Sequence, residues 1–300
     1  MKTITKRILF LVAVLLAVPM FIFAFSKGDL LIAQDSNSMA RLPLGQDGQV
    51  LTVSSTAPLG MAWVTPTIPV KHFQVDTGKT LTTGLRAYYK LEDENDFWGM
   101  NNLTTYGGAT FSAAKINFGV TTSPLAPSYL NVANNGGIDG GSISIAGWVR
   151  VANAPAVGGS MALFSQGSSI SKTGYSVLYH NDGGVLKLFA FRGRGGIANT
   201  GPDIAETLVV GTWYHVVITY DGTNVKLYLN NNLLGSVADS GNGNDLTMVS
   251  HLNVTGGYPG YPSSYPWDGM TDEVGIWSRA LSTTEIADLY NGGNGQTIMQ

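Results

Sequence analysis

The sequence predicts an all-β domain, built as a two-sheet antiparallel jelly-roll sandwich with one short helix near its C-terminal end. Three observations support this fold class. Glycine accounts for 38 of the 300 residues, about twice the average share. Charged residues make up only 12% of the chain, too few for the wet faces of long exposed helices. Short apolar segments recur at roughly 8–12-residue intervals between turn residues, which is the spacing of a sandwich.

The first 26 residues are predicted to form an export signal. Lys2, Lys6 and Arg7 precede an uninterrupted apolar run over residues 8–25, the order found in secretory signals. The run ends in Ala-Phe-Ser, which would serve as a cleavage site. It is also long enough to span a bilayer if it stays uncut, so residues 1–26 are either a signal peptide or a membrane anchor helix. Both alternatives predict an extracellular or cell-surface protein that meets a membrane only through this segment.

The composition excludes several partners and chemistries. Without the three bases of the N-terminal segment, 14 of the 17 basic residues remain against 20 acidic ones, a net charge of −6. Nucleic-acid-binding surfaces are basic, so no nucleic-acid partner is expected. The chain has no cysteine, and therefore no disulfide, thiolate nucleophile or cysteine-ligated metal site. An exported chain without cysteine is typical of bacterial surface proteins, and it makes a stabilising metal ion worth testing.

Residues 27–66 are predicted to form a small, separate β module. This stretch resembles a short module of phage tail fibres and related surface proteins through four segments in the same order: Gly-Asp-Leu-Leu at 28–31, Ala-Arg-Leu-Pro-Leu-Gly at 40–45, Gly-Gln-Val-Leu-Thr-Val at 48–53 and Trp63. Gln46-Asp47-Gly48 would form a turn between apolar strands. A module of about forty residues builds too small a core to stand alone, so we expect it to form a homo-oligomer or to pack on a partner.

Residues 84–300 are predicted to form the sandwich, after a linker at residues 67–83 that is rich in threonine. Turn residues such as Gly183-Gly184 separate successive predicted strands at 142–151, 175–179, 185–191, 213–220, 225–229 and 233–237. A capping box formed by Ser282 and Glu285 predicts the start of the short helix.

Five segments of this domain resemble, in the same order, the laminin-G-like, concanavalin A-like jelly rolls common in secreted bacterial proteins. They are the entry strand at 85–92, the loop at 96–104, the strand at 144–149, the Gly-Thr-Trp-Tyr-His-Val-Val segment with its following Tyr-Asp-Gly at 211–222, and the Thr-Asp-Glu-Val-Gly-Ile-Trp-Ser-Arg-Ala-Leu segment at 271–281. The resemblance covers residues 85–297. It implies a jelly-roll fold and a recognition or adhesion role, with carbohydrate or a cell-surface glycan as the partner.

A loop at residues 258–267 is the predicted ligand-binding site. Its aromatic residues, Tyr258, Tyr261, Tyr265 and Trp267, are interleaved with three prolines, each of which fixes a backbone angle. Flat aromatic faces on a stiff loop suit stacking against the C–H groups of a sugar. The alternative is a loop folded over a sheet edge with its tyrosines half buried.

Asp96 and Asp272 are the predicted metal ligands. The resemblance implies calcium near their two loops, and calcium prefers carboxylate and carbonyl oxygens. The alternative is a turn cap at one aspartate and a strand-end hydrogen bond at the other, because the sequence contains no dense Asp-x-Asp-x-Asp loop.

Two further polar features are expected to be structural. His215 stands beside two aromatic residues in the family's strand motif, and we expect it to belong to the strand framework. Glu273 and Arg279 are expected to form an ion pair that links the last strand to the start of the helix.

The sequence does not support catalysis. Glucanases of the resembled fold carry a Glu-x-Asp-x-x-Glu run on one strand, and residues 92–96 lack that spacing. The Gly-x-Ser-x-Gly and His-Glu-x-x-His motifs are also absent. We therefore expect a non-enzymatic, carbohydrate-binding adhesion protein. A fibre-like structural protein with the jelly roll as its terminal knob is the alternative, and a glycoside hydrolase is the weakest of the three.

Overall fold

The computed structural model describes residues 30–33, 39–42, 46, 49–53, 55–64, 80–99, 101–124, 128–132, 141–166, 173–194, 199–239, 252–255, 257 and 265–298. The chain divides into two units, Met1–His72 and Phe73–Gln300, with the boundary inside the predicted linker. The predicted export segment at residues 1–26 lies outside the described residues. Within the described ranges, no helix has the length and apolar character needed to cross a membrane.

The first unit contains two antiparallel hairpins. Strand β1 (Leu30–Ala33) pairs with β2 (Met39–Leu42), and β3 (Val50–Val53) pairs with β4 (Met61–Val64). The predicted turn before β3 is present, because the Gln49 N–H donates a hydrogen bond to the Gln46 carbonyl at 3.0 Å. This turn separates two hairpins, whereas the sequence suggested a single strand pair around it.

The described part of the second unit is built almost entirely of strands. They are β5 (Leu85–Tyr89), β6 (Thr104–Tyr106), β7 (Thr110–Ala113), β8 (Phe118–Thr122), β9 (Tyr129–Val132), β10 (Ile143–Val151), β11 (Ser160–Gln166), β12 (Thr173–Asp182), β13 (Val185–Arg194), β14 (Asp203–Ala205), β15 (Trp213–Tyr220), β16 (Asn224–Leu229), β17 (Asn232–Ala238), β18 (Leu252–Thr255) and β19 (Gly269–Trp277). The helical segments are α1 (Thr283–Tyr290) and the short 3-10 turns Thr80–Thr82 and Asn291–Gly293.

These strands form two antiparallel sheets. Sheet 1 has the order β17-β16-β15-β10-β19-β8-β7, with β5 also paired to β19. Sheet 2 has the order β14-β13-β12-β11-β18-β9-β6. Many neighbours in each sheet are distant in sequence, because the chain crosses repeatedly between the sheets. Two antiparallel sheets and one short helix confirm the predicted fold class.

The main core lies between the inner faces of the two sheets. Val149 and Val151 of β10 face it from sheet 1, and Val177 and Tyr179 of β12 face it from sheet 2. All four side chains are buried. Because strand residues alternate between faces, the same strands send their intervening residues outward. Each large apolar side chain in this layer stabilises the fold by about 1.5–3 kcal/mol relative to exposure.

Tight turns join the hairpins, and the predicted Gly183-Gly184 turn is one of them. β12 and β13 are connected by Gly183 and Gly184, whose φ angles are 60° and 98°. β16 and β17 are connected by Asn230 and Asn231, with φ angles of 49° and 67°. Tight hairpin turns require this left-handed backbone, which glycine and asparagine tolerate.

A second apolar cluster covers the outer face of sheet 1. Ala146 of β10 and Val217 of β15 point outward there and pack with Ile286 of α1. Helix α1 begins at the predicted capping box: the Glu285 N–H donates to Ser282 Oγ at 3.3 Å, and the Ser282 N–H donates to Glu285 Oε2 at 2.9 Å. The helix therefore closes the sandwich on this side.

The expected ion pair between Glu273 and Arg279 is wrong. Arg279 pairs with Glu285, with 2.6 Å between Nη2 and Oε1. Because Arg279 donates hydrogen bonds to it, the pKa of Glu285 falls to about 2. Glu273 lies within β19 and accepts a hydrogen bond from the hydroxyl of Tyr88. Arg279 is therefore tied to the start of α1 through Glu285, and it forms no ion pair with Glu273 of β19.

Candidate functional site

The described ends of the predicted binding loop lie at sheet 2, whose outer face also carries several polar and aromatic side chains. In β9, Leu130 and Val132 belong to the core between the sheets. Tyr129 and Asn131 alternate with them and therefore lie on the outer face. The same alternation applies to the neighbouring strands. Together with the pairing register, it shows which of their side chains lie on the outer face.

A row of polar side chains crosses this face in register. Asn131 of β9 is opposite Asn253 of β18. On the next strands, Asn253 is opposite Ser165 of β11, and Ser165 is opposite Ser176 of β12. All four are buried. Asn131 Nδ2 donates to Asn253 Oδ1 at 2.7 Å, and Ser176 Oγ donates to the Phe164 carbonyl at 3.0 Å. Buried polar groups of this kind need such partners, and here they fix the geometry of the four central strands.

The predicted loop is closed at its base over the central strand β11. The Gly257 N–H donates to the Tyr265 carbonyl at 3.2 Å, which joins the two ends of the predicted loop. The Ala162 N–H donates to the same carbonyl at 2.9 Å. Ser165 Oγ donates to the Gly257 carbonyl at 2.7 Å. Two residues of β11 therefore hold both ends of the loop on sheet 2.

The four aromatic residues of the loop differ in their placement. Tyr258 and Tyr261 lie outside the described residues. Tyr265 is 37% exposed and has a φ of 62°, a left-handed backbone that costs a tyrosine about 1 kcal/mol. Trp267 is fully buried in the core between the sheets, and its Nε1 donates to the Met270 carbonyl at 3.4 Å. Trp267 is therefore a core residue at the end of the loop. The prediction that its ring contacts the ligand is wrong, because the ring is buried.

Two tyrosines on the outer face of sheet 2 form an aromatic pair. Tyr106 of β6 and Tyr129 of β9 are opposite each other and stack, with 4.6 Å between ring centroids and 6° between ring planes. Tyr106 is 41% exposed. Burial raises the pKa of Tyr129, and the neighbouring Tyr106 adds to this effect.

The far side of the same face carries an apolar cluster and then a charged edge. Leu178 and Phe191 form the cluster with Ala162, and Phe189 packs against it. Beyond it, Lys187 Nζ lies 2.7 Å from Asp182 Oδ2. His180 Nε2 and Asp203 Oδ1 are 2.8 Å apart at the same edge. These four described polar side chains thus lie at one edge of the face and are engaged with one another.

Asp96, one of the two predicted metal ligands, is buried and tied to N–H donors. Its Oδ1 accepts hydrogen bonds from the Tyr88 and Trp98 N–H groups, both at 3.0 Å. Its Oδ2 accepts from the Asn101 N–H at 3.2 Å and from Asn101 Nδ2 at 3.4 Å. Both oxygens are therefore used in fastening the loop after β5, which does not fit the role of a calcium ligand.

Asp272 has a different environment. Its Oδ2 accepts a hydrogen bond from the Ile116 N–H at 2.7 Å, and its buried Oδ1 has no hydrogen-bond partner among the described residues. Burial raises the pKa of Asp272 to about 8, against the effect of the backbone N–H donors. Within the described ranges, three or more His, Asp or Glu side chains are nowhere gathered around a possible metal position. Calcium stays a prediction, and among the two predicted ligands it rests on Asp272.

His215 lies on the outer face of sheet 1, away from the loop. It is buried beside Trp148 and Tyr290, with ring centroids 5.2 Å and 6.3 Å away. Burial lowers the pKa of His215 to about 3, so the ring is neutral at physiological pH. This environment fits the structural role expected from the sequence.

Sequence reasoning missed the polar row and the tyrosine pair. The alternation in Tyr-Leu-Asn-Val at residues 129–132 was an available signal that Asn131 faces outward. No local signal could reveal its partner, because Asn253 lies 122 positions later in the chain. The same holds for Tyr106 and Tyr129, which are brought together only by the pairing of β6 with β9.

Comparison with protein families gives one match. The sequence model of the concanavalin A-like lectin/glucanases superfamily matches residues 126–287, more than half of the chain. A comparison with curated proteins finds no match.

Solved structures share the fold at low sequence identity. Domain 4 of AbnA, a GH43 extracellular arabinanase from Geobacillus stearothermophilus solved with arabinotriose, is 18% identical with a TM-score of 0.52. The match covers 71% of this chain and 98% of that one. The binding domain of botulinum neurotoxin DC in complex with SialylT is 14% identical with a TM-score of 0.54, covering 71% of this chain and 52% of that one.

A third structure has similar values. The binding domain of Paraclostridial Mosquitocidal Protein 1 is 18% identical with a TM-score of 0.53, covering 70% of this chain and 52% of that one. This chain therefore spans about half the length of the two toxin binding domains. At these identities the likeness shows the fold alone.

Proposed function

Because the chain belongs to the concanavalin A-like lectin/glucanases superfamily, we propose that residues 84–300 form the glycan-binding module of an exported recognition or adhesion protein. In this proposal the outer face of sheet 2 and the loop at residues 258–265 contact the carbohydrate. Residues 1–26 direct export or anchor the chain at the cell surface. The module binds its ligand and does not cleave it.

The anchoring of the two ends of the loop supports this proposal most strongly. Hydrogen bonds from Ala162 and Ser165 fasten the loop base at Tyr265 and Gly257 to the central strand of sheet 2. Both ends of the aromatic and proline-rich segment are thereby fastened to β11. Preorganised aromatic surface binds a flat sugar face with little ordering of the protein. The strained backbone of Tyr265 also supports a binding role, since strain of this kind concentrates at functional sites.

Two of the similar structures are consistent with a glycan ligand. Domain 4 of the arabinanase was solved with arabinotriose, and the neurotoxin binding domain was solved with SialylT. Both share the sandwich with this chain. These ligands belong to those proteins, and they support the proposal only as examples of what the fold accommodates.

The carboxylates of the described face favour binding over hydrolysis. Glycosidases place two carboxyl groups on either side of the scissile bond, roughly 5–9.5 Å apart. On the outer face of sheet 2, Asp182 is engaged with Lys187 and Asp203 with His180. The hydrogen bond from Lys187 lowers the pKa of Asp182, which opposes the role of a general acid.

Retention on immobilised polysaccharides tests the proposal. The full chain is expected to be retained on at least one glycan of a broad panel. The triple variant Tyr258→Ala, Tyr261→Ala, Tyr265→Ala is expected to lose retention while keeping the wild-type melting temperature. Phe118→Ala serves as the control, because Phe118 is 52% exposed on β8 of the other sheet. Equal retention of the triple variant would contradict the proposal, and release of sugar from the panel would contradict its non-catalytic part.

The fibre-like alternative has one observation in its favour. The described part of the first unit consists of two hairpins with two strands each. Isolated two-stranded hairpins are marginal in water, so residues 27–66 gain stability by associating with other copies. Light scattering of the full chain and of a variant lacking residues 27–66 tests this. A trimer or other oligomer that dissociates on deletion supports the fibre, and a monomer in both forms refutes it.

A further inference from the structure

Four exposed valines lie on three loops at one end of the second unit. Val157 follows β10, Val185 follows the turn at Gly183-Gly184, and Val209 and Val210 lie between β14 and β15. Their exposed fractions run from 48% to 71%. Single exposed apolar residues are ordinary, but a group of them on one surface marks a contact with another molecule or with a membrane.

Hydrogen bonds join the three loops to one another. The Gly158 N–H donates to the Asn181 carbonyl at 2.8 Å, beside the hairpin turn. The Gly211 N–H donates to the Val151 carbonyl at 3.0 Å, where the first loop starts. The loops therefore form one surface. We call it the valine end, and it comprises residues 152–159, 182–185 and 205–212.

The valine end presents apolar side chains from a fastened backbone. Leu208 is buried, and its N–H donates to the Tyr179 hydroxyl at 3.1 Å. The Val209 N–H donates to the Tyr214 hydroxyl at 3.0 Å. This loop thus buries one apolar side chain and exposes the next two. The surface is continuous, because residues that separate the valines are exposed as well: Ala152, Ala154, Ala156, Gly158, Gly183, Gly184, Thr207 and Thr212.

The valine end carries little charge. Residues 152–159 and 207–212 contain no charged residue. Asp182 is paired with Lys187, with 2.7 Å between Oδ2 and Nζ. Glu206 is the other acidic residue of this surface. These charges do not attract an anionic membrane, so apolar contact is the driving force that the valine end offers a partner.

A cation and an aromatic ring lie directly behind the valine end. Arg150 of β10 is opposite Trp213 of β15, and its guanidinium lies over the indole at 5.4 Å from the ring centroid. Both side chains are partly exposed, and Arg150 Nη2 donates to Met270 Sδ at 2.7 Å. Among the described residues, no acidic side chain forms an ion pair with Arg150. Trp213 directly follows the last loop, and Arg150 precedes the first loop by two residues, about 7 Å of strand.

This order of side chains matches the layers of a phospholipid bilayer. Aliphatic side chains suit the hydrocarbon boundary, and tryptophan is enriched at the membrane–water interface. Arginine binds phosphate through paired N–H donors, and phosphate lies outside the hydrocarbon. A protein partner would need a matching pocket for each loop tip, whereas a fluid bilayer accepts the tips in any arrangement. The valine end therefore fits a membrane better than a protein partner.

From these observations we propose that the valine end docks on a zwitterionic phospholipid bilayer. Its valines enter the hydrocarbon boundary, Trp213 lies at the interface and Arg150 binds a lipid phosphate. The inference goes beyond glycan binding, and it adds a second membrane contact to the one expected of residues 1–26. β19 begins opposite Val151 and ends opposite Leu85, where β5 begins. The chain therefore enters the sandwich at the other end, and a bilayer at the valine end leaves that connection free.

The experiment places a fluorescent label in the full chain and measures its depth in a bilayer. Because the chain has no cysteine, Val209→Cys creates a single labelling site at the valine end. Thr223→Cys is the matched control, since Thr223 is exposed in the turn after β15, at the opposite end of that strand from Trp213. The vesicles are phosphatidylcholine with brominated acyl chains, which quench a label at their own depth. Residues 8–25 can bind vesicles by themselves, so the readout is label depth and not retention.

Quenching is expected at the valine end alone. The label at Val209→Cys should lie about 5–10 Å into the bilayer surface and lose about half of its emission, while the label at Thr223→Cys keeps its emission. Adding Val157→Ser, Val185→Ser and Val210→Ser to the Val209→Cys chain should abolish the quenching. These three side chains are exposed, so the melting temperature should stay that of the labelled parent.

The role of Arg150 and the lipid class are tested in the same labelled chain. Arg150→Gln should reduce the quenching, and Arg150→Lys should reduce it less, because lysine keeps the charge but not the paired donors. Phosphatidylserine and added salt should change the quenching little, because the valine end offers an anionic surface no excess of positive charge.

Each contrary result overturns the proposal in its own way. An unquenched label at Val209→Cys, or equal quenching at Thr223→Cys, shows that the valine end does not enter the bilayer. Quenching that requires phosphatidylserine and is lost in salt overturns the zwitterionic surface. A blue shift of the Val209→Cys label that grows with protein concentration in the absence of lipid shows that the valine end meets a second copy of the chain instead.

Discussion

The hydroxyl of Tyr88 donates a hydrogen bond to the carboxylate of Glu273, and both residues are buried. The Tyr88 oxygen also accepts a hydrogen bond from the Ile298 N–H at 3.1 Å. One phenol thus joins β5, β19 and the segment after α1. Burial raises the pKa of Glu273 well above its usual range, because the charged form loses its hydration. The hydrogen bond from Tyr88 offsets part of the free-energy cost of burying this acid.

Removing that hydroxyl is expected to destabilise the sandwich. Tyr88→Phe leaves Glu273 without its donor and Ile298 without its acceptor, so the free energy of unfolding falls by about 1–3 kcal/mol. Urea unfolding of the full chain measures the change. Tyr106→Phe, which alters an exposed tyrosine, is the control and should unfold as wild type. An unchanged midpoint for Tyr88→Phe would show that the bond contributes nothing.

His215 is expected to make the fold less stable in mild acid. Its pKa is about 3 in the folded chain and near 6.5 when unfolded, so below about pH 6.5 only the unfolded chain takes up a proton there. The contribution of this group to stability is full above about pH 6.5. It falls as the pH drops toward 3, by up to about 1.4 kcal/mol per pH unit. His215→Leu should lack this loss, and the difference between the two unfolding profiles isolates the histidine from other groups. Profiles with the same slope below pH 6 would refute the prediction.

The buried ion pair between Arg192 of β13 and Asp239, which follows β17 of sheet 1, is expected to be sensitive to the loss of one partner. Arg192 Nη1 lies 2.8 Å from Asp239 Oδ2, both side chains are buried, and the guanidinium lies over the Tyr220 ring at 4.5 Å. Arg192→Met leaves the Asp239 charge buried and should cost about 3–5 kcal/mol of stability. The double variant Arg192→Met, Asp239→Asn should recover part of that loss. If the double variant is no more stable than the single one, the charge is not the cause.

Chelation tests the calcium prediction. A calcium ion at the unpartnered oxygen of Asp272 would stabilise the folded chain, so EDTA should lower the melting temperature and added calcium should restore it. Asp272→Asn should abolish the response. The Asp96 carboxylate is already used by N–H donors, so Asp96→Asn should unfold earlier with or without calcium. A melting temperature that EDTA leaves unchanged would contradict the calcium prediction.

Local signals predicted the features that depend on neighbouring residues. The Gly183-Gly184 turn and the capping box of Ser282 and Glu285 are short-range devices, and the structure contains both. The alternating strands and the family motifs in their order were sufficient for the two-sheet fold.

Features that depend on distant pairing could not be predicted in the same way. Arg279 has acidic residues six positions away on either side, and only the fold decides that Glu285 is its partner. Trp267 and Tyr265 stand in one aromatic and proline-rich run, yet one ring is buried in the core and the other is exposed. Composition does not tell them apart, because the burial of each ring depends on how the chain enters β19.

The central claim is that glycan binds on the outer face of sheet 2, and hydrogen–deuterium exchange of the full chain with the best-retained glycan tests it most directly. We predict slower exchange on ligand addition in residues 104–106, 129–131 and 257–265, with no change in α1 or in residues 215–217 of sheet 1. Protection confined to α1, to sheet 1 or to residues 30–64 would contradict the claim.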